Sequence, residues 1–138
     1  MIQRILLGYD GSESSVRAFD LATEMTRRHG ARLYVVVVAQ ALGAGGEMES
    51  SAVIEHSRDH HKGVLQALRD HTDLSGVEAQ VEMLAGSPAQ RILEQAKGLG
   101  IDLIVVGHRG HGASDRWRPG SVTHQIISHA ECAVLVAR

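Results

Sequence analysis

The sequence predicts an α/β fold in three layers: an open, mostly parallel five-stranded sheet with helices covering its faces. Two observations carry this expectation. Short apolar runs alternate with segments of helical periodicity four times, and the chain closes on a fifth apolar run. That order winds a parallel sheet through helical crossovers. One run, Leu33-Tyr34-Val35-Val36-Val37-Val38, is continuously apolar and rich in β-branching. Such a strand is buried on both faces, hence parallel and covered by helices. The 138 residues suit one domain over 1–138, large enough to bury a core without staples. No internal repeat, low-complexity tract or linker divides it.

The first strand spans Ile2 to Gly8. Asp10-Gly11-Ser12 then offers a turn and a helix cap, because a short side-chain oxygen accepts from orphan backbone N–H groups. Ala18, Ala22, Met25 and His29 follow at helical spacing, with Val16, Phe19 and Leu21 widening the stripe. Gly30 stops this helix, since glycine tolerates a left-handed cap. After the strand at 33–38, Ala44-Gly45-Gly46 forms a loop, and a polar helix runs from about Glu49 to His71. Its apolar positions, Val53, Val64, Leu65 and Leu68, are sparse, so one of its faces is solvated. Val77, Ala79, Val81 and Met83 alternate with Glu78, Gln80 and Glu82. This period of two marks a strand with one buried face, or an edge. Ser87-Pro88-Ala89-Gln90 starts the third helix, with Ser87 as cap, Pro88 at the first helical position and Gln90 completing a capping box. Ile101 to Val106 is the fourth strand; Val122, Ile126 and Ala130 mark the last helix, and Ala133 to Ala137 the last strand.

Composition narrows the function. A formal net charge of −2 excludes general polyanion binding, so nucleic acid is not an expected partner and any attraction for phosphate is local. The single cysteine, Cys132, forms no intrachain disulfide and fits a reducing compartment. The start Met1-Ile2-Gln3-Arg4 has neither the long apolar stretch nor the small-residue site of a secretory signal. No run approaches the ~20 apolar residues of a membrane helix. A cytoplasmic protein without membrane contact is expected.

The chemistry concentrates after the fourth strand. Gly107 ends that strand, Gly110 follows after two residues, and nine residues later Gly120-Ser121 opens the last helix. Glycines let the backbone approach a phosphate closely, and consecutive N–H groups form an anion nest. The helix start adds free N–H donors and a positive dipole end, and Ser121 and Thr123 supply hydroxyls. Between the glycines lie Arg109, Arg116 and Arg118 against one acid, Asp115, with His108 and His111 as further donors. The bland alternative is a turn-rich loop with a capped helix. Coincidence of strand end, split glycine spacing, arginine excess and helix start favours a phosphate site. It is neither a Walker loop nor a dinucleotide fingerprint, as no GK[ST] occurs and no G-x-G-x-x-G follows the first strand.

Gly107-x-x-Gly110, nine residues, then Gly120-Ser121 resembles the G-2X-G-9X-G-(S/T) motif of the ATP-binding universal stress proteins. The resemblance spans the chain. Ile5 to Ser12 is similar to the family's opening strand and aspartate turn, and Gly120 to Thr123 with Cys132 to Val136 to its closing helix and strand. It implies a Rossmann-like sheet of the adenine nucleotide alpha hydrolase type, ordered 3-2-1-4-5, with a site between strands one and four. Tyr9 and Asp10 would face Gly107 across the crevice, and Asp10 would meet the adenosine end. The backbone of Val38 would meet adenine and Gly107 the ribose, while Gly110, Gly120, Ser121, Val122 and Thr123 would hold phosphates. ATP is the implied ligand, with magnesium or manganese accompanying it. The stretch Ser114 to Pro119 is more polar than the family's usual segment there.

Three functions stay open on the sequence: a nucleotide-dependent regulatory module of the stress response, a slow ATPase or phosphotransferase, and a dimeric scaffold without nucleotide. The motif supplies positioning and charge neutralisation but no evident general base, so no catalytic residue is named. His56 and His60 stand four apart beside His61, yet lack an H-E-x-x-H pattern; a solvated histidine face is expected rather than a metal site. Cys132 is read as a buried, inert thiol, and Trp117, on the loop, stays open between covering the nucleotide, packing on a neighbouring subunit and anchoring the loop. In the implied order the fifth strand is an edge. Ala133 to Ala137 carries no charge, proline or glycine, so a homodimer through this strand is expected.

Overall fold

The computed structural model describes residues 1–39, 51–108 and 121–138. The elements are β1 (Arg4–Gly8), α1 (Glu13–His29), β2 (Arg32–Ala39), α2 (Ser51–Ser75), β3 (Ala79–Ala85), α3 (Pro88–Leu99), β4 (Leu103–Gly107), α4 (Val122–His129) and β5 (Ala133–Ala137). The five strands lie in the order β3-β2-β1-β4-β5, and every neighbouring pair is parallel. Alternation along each central strand divides the core in two. Ile5, Leu7, Val35, Val37 and Val105 face Phe19, Ala22 and Leu68 of α1 and α2. Leu6, Val36, Ile104 and Val106 face Ala89, Ile92 and Ile126 of α3 and α4. This is the expected three-layer arrangement. No described helix is long and apolar enough to cross a membrane.

Local differences from the expected pattern have physical reasons. On α1 the expected Ala18, Phe19 and Ala22 are buried and Val16 and Met25 pack against the core, but Ser14, Ser15, Thr23 and Thr26 are buried as well, whereas Leu21 is 38% exposed and His29 lies outside. The two threonines enter the core because each hydroxyl donates to a carbonyl of its own helix: Thr23 to Asp20 at 2.9 Å and Thr26 to Ala22 at 2.7 Å. Gly30 caps α1 at φ 59°, as expected. Helix α2 runs on past His71 to Ser75, where the Arg27 guanidinium donates to the Ser75 carbonyl at 2.9 Å. The alternation of β3 does mark an edge strand, but it fails at Met83, which is 39% exposed while Leu84 turns inward. Ser87 and Pro88 start α3, yet the capping box is absent. Ser87 makes no side-chain cap, and Gln90 donates forward to Glu94 at 3.0 Å.

At the amino-terminal end of the strands, Asp102 clamps β1 to β4. Its carboxylate accepts from the backbone N–H groups of Gln3 at 2.8 Å and Arg4 at 3.0 Å, and its own N–H donates to the Arg4 carbonyl at 3.0 Å. The hydrogen bond from Gln3, then that from Arg4, holds the carboxyl below its ordinary range. With the folded-state pKa depressed, this contribution is full above the unfolded pKa and lost as pH falls through the folded value. Asp102→Ala is therefore expected to be less stable than the parent at neutral pH, the gap closing in acid below the carboxylate range. Urea titrations across pH read this directly; a gap independent of pH would show that the charge is not what the clamp uses.

Candidate functional site

The sheet's winding reverses between β1 and β4. From β1 the chain builds outward through β2 and β3, then crosses back to add β4 and β5 on the other side. A crevice opens beyond the carboxyl ends of the strands at such a point, where ligands of open α/β sheets bind.

The β1 side begins with Tyr9, whose N–H donates to the Val36 carbonyl at 3.0 Å. Its ring joins the core on the α1 and α2 side, leaving the residue 6% exposed. Burial, then the neighbouring Asp10, raises the phenol pKa above its ordinary value. The Asp10 carboxylate accepts from the Ser12 N–H at 2.9 Å across Gly11, which sits at φ 84°. Ser12 is the N-cap of α1, its hydroxyl accepting from the Ser15 N–H at 3.2 Å. Asp10 therefore shapes the turn and does not cap the helix. Paired residues of β1 and β2 end at Gly8 and Val36, while β2 continues to Ala39. Val38, half-buried, thus stands past the end of β1, at the crevice.

The β4 side ends at Gly107, held from both faces of the sheet. Its carbonyl accepts from the Thr123 hydroxyl of α4 at 2.9 Å. On the other face the first turn of α1 lies so close that a Cβ on Gly107 would meet the Ser14 hydroxyl, the Ser14 carbonyl carbon at 2.7 Å and the Ser15 nitrogen at 2.8 Å. Glycine is thus required here by helix–strand packing. Ser14 and Ser15, both 2% exposed, were not singled out from the sequence. Their small size in the first turn of α1 is the signal that fits this close approach. Ser121 caps α4, its hydroxyl accepting from the His124 N–H at 3.2 Å. A hydroxyl accepting there keeps its own O–H to give. Thr123, 6% exposed, is already donating to Gly107. What α4 offers the crevice is its capped first turn, with the Ser121 hydroxyl and the N–H groups that begin the helix at Val122 and Thr123. Such donors fit an anion.

The structure brings Tyr9, Asp10, Val38, Gly107, Ser121, Val122 and Thr123 to the carboxyl ends of β1, β2 and β4. Arg109, Gly110 and Gly120, with His111, Asp115, Arg116, Trp117 and Arg118, lie outside the described residues. Among the described residues no group of three or more His, Cys, Asp or Glu could hold a metal ion, and His60 is exposed on α2. Cys132 is half-buried in a groove of about 420 Å³ between the carboxyl-terminal ends of α3 and α4, far along the strands from the crevice. Burial pushes its thiol pKa up.

Residues 1–138 match the sequence profile of the Universal stress protein family. A universal stress protein of Thermus aquaticus is 35% identical over 141 residues, covering all of both chains. The solved universal stress protein UspA from Lactobacillus plantarum aligns with a TM-score of 0.82 at 27% identity, over 99% of this chain and 97% of that one. The universal stress protein from Archaeoglobus fulgidus, solved in complex with dAMP, aligns with a TM-score of 0.70 at 22% identity, over 100% of this chain and 98% of that one.

Proposed function

The chain belongs to the universal stress protein family, and from that premise we propose that it is an ATP-binding regulatory module of the stress response, working in the cytoplasm as a homodimer. One observation carries the reading. A helix capped by Ser121 opens beside the end of β4, at the reversal of the sheet, directly after the glycine pattern that runs from Gly107 to Gly120. The dAMP of the Archaeoglobus structure supports an adenine nucleotide as the ligand class.

In this reading Val38, Tyr9 and Asp10 frame the adenosine end and Gly107 borders the ribose. The backbone at Gly110, Gly120, Val122 and Thr123 and the hydroxyl of Ser121 receive the phosphates, and Arg109 offsets their charge. The Thr123 hydroxyl keeps its bond to Gly107 and holds the strand end in place. Magnesium or manganese enters with the nucleotide's phosphates. Occupancy biases the surface shown to partners through its differential affinity for two states of the chain. No residue is assigned to catalysis. His108 turns Nδ1 to the Ala137 carbonyl, and Asp10 accepts from the Ser12 N–H. The dimer forms through β5, an edge strand without charge, proline or glycine.

Titration calorimetry with ATP and magnesium, AMP and adenosine tests the reading. Charge-assisted hydrogen bonds contribute about 1.5–3 kcal/mol each, so ATP is expected to bind at least about tenfold more tightly than AMP. Equal affinity for all three would sink the phosphate cradle. No binding would leave a dimeric scaffold, and sustained turnover above about one per second, within ordinary enzyme rates, would make the protein an ATPase.

A further inference from the structure

We propose that His108 is a positioning residue that couples nucleotide occupancy at the crevice to pairing of the β5 edge with a second copy of the chain. The inference rests on the nucleotide reading above and assigns it a route of regulation.

The carbonyls of Ala137 and Arg138 are held by residues of two other segments, His108 after β4 and Arg17 on α1. The last paired residues of β4 and β5 are Gly107 and Ala137. The Ala137 carbonyl meets His108 twice, accepting from its backbone N–H at 2.7 Å and lying 3.2 Å from its Nδ1, which carries the proton in the donating tautomer. Ala137 is 2% exposed, so this contact is inside the fold. The Arg138 carbonyl accepts from Nε of Arg17, on α1. The first turn of that same helix abuts Gly107. The carboxyl-terminal end of β5 is therefore fixed by the residue after Gly107 and by the helix against Gly107.

On its far side β5 ends the sheet. Its strand Ala133–Ala137 is apolar and uncharged, so an identical strand meets it without like-charge opposition. Antiparallel pairing centred on Leu135 sets Arg138 of one copy beside the 131–132 end of the other, where Glu131 is exposed. The edge is thus complementary in charge to itself under a twofold axis. A nucleotide that fixes the backbone from Gly107 onward fixes the frame on which both His108 contacts depend. These in turn hold β5 extended and in register to its last residue, the state that pairs. By linkage the effect is reciprocal: pairing tightens nucleotide binding by the same factor.

The experiment uses the full chain with ATP and magnesium as the probe. Sedimentation equilibrium gives the dimer dissociation constant with and without saturating ATP, and calorimetry verifies ATP binding in every sample. A Leu135→Ala background brings the constant into range if the dimer is too tight to dissociate. In the parent, ATP is expected to tighten the dimer about 5- to 20-fold, within the usual span of coupling between sites. His108→Ala is expected to bring that ratio to about one while ATP still binds. His108→Asn, which keeps a side-chain donor at the position of Nδ1, is expected to restore it. An unchanged dimer constant in an ATP-binding parent overturns the proposal, as does a monomer at every concentration, or His108→Ala with the parent's ratio. His108→Ala that no longer binds ATP makes His108 a ligand contact and also overturns it. A parent that binds no ATP fails at the calorimeter, which separates failure of the nucleotide reading from failure of the coupling.

Discussion

Replacing Gly107 by alanine is expected to destabilise the protein by about 3 kcal/mol, the upper part of the range for overpacking a filled site, and to weaken nucleotide binding with it. The reason is what the new methyl would meet. Two of the contacts, the Ser14 carbonyl carbon at 2.7 Å and the Ser15 nitrogen at 2.8 Å, are backbone atoms of α1. A side chain can rotate away; the first turn of a helix moves only by shifting the helix. That shift would break the approach of α1 to β4 and carry with it Asp10 and Ser12, which build the turn at the crevice. Gly8→Ala is the matched comparison at the end of β1. Its methyl would meet Cδ1 of Ile92 at 2.9 Å and Cγ1 of Val106 at 3.2 Å, both side-chain ends, and a cost nearer 1 kcal/mol is expected, the lower part of the same range. Urea unfolding midpoints, read at constant slope, give both numbers. Equal losses for the two variants would show that α1 yields as readily as a side chain.

How far the fold was legible depends on which force each pattern reports. The continuous apolar run of β2 and the alternation of β3 report burial, and both strands sit where burial puts them, one central and one at an edge. Strand order is different. Burial says that a strand is covered, not which strand lies beside it, and the order 3-2-1-4-5 was legible only through resemblance to a family. Hydrophobic periodicity found the face of α1 through Ala18, Phe19 and Ala22 but misplaced its margin, because it counts threonine as polar. Thr23 and Thr26 satisfy their hydroxyls within the helix and so are buried, while Leu21 is left outside. The missing capping box at Ser87 has a similar origin. Gln90 has two partners within reach of a helical side chain, and the forward one, Glu94, holds it.

The site was legible as a place before it was legible as a set of roles. Strand end, glycines and helix start pointed to one place, and the described parts of the pattern, Gly107 and Ser121, do lie at the reversal of the sheet. Roles depend on contacts between distant segments, which spacing does not encode. Gly107 was expected to admit a ligand; what the structure shows it admitting is α1. Thr123 was expected to offer its hydroxyl to phosphate, and that hydroxyl donates to Gly107, 16 residues earlier. Neither partner is a sequence neighbour, so neither contact leaves a local signature. His108 is the same kind of case, since its partner Ala137 lies 29 residues away.

Gly110→Val and Gly120→Val are each expected to weaken ATP binding by a hundredfold or more, about 2.8 kcal/mol at 1.4 kcal/mol per tenfold, with the fold retained. Both glycines belong to the pattern that resembles the family's phosphate motif and lie outside the described residues, so the prediction stands on backbone chemistry. A nest of N–H groups around a phosphate needs the main chain within hydrogen-bond distance of its oxygens. A β-branched side chain blocks that approach and makes positive φ an outlier. Retention of the fold is expected because Gly110 comes after β4 has ended at Gly107 and Gly120 comes before α4 begins at Val122. Gly63→Ala is the control. Gly63 lies within α2 with nothing near its would-be Cβ, so alanine there is expected to stabilise the helix by about 0.8–1 kcal/mol and leave ATP binding unchanged. Circular dichroism and calorimetry on the three variants decide the matter. If both valine variants fold and bind ATP as the parent does, the phosphates are not held by these glycines, and the site's location rests on the start of α4 alone.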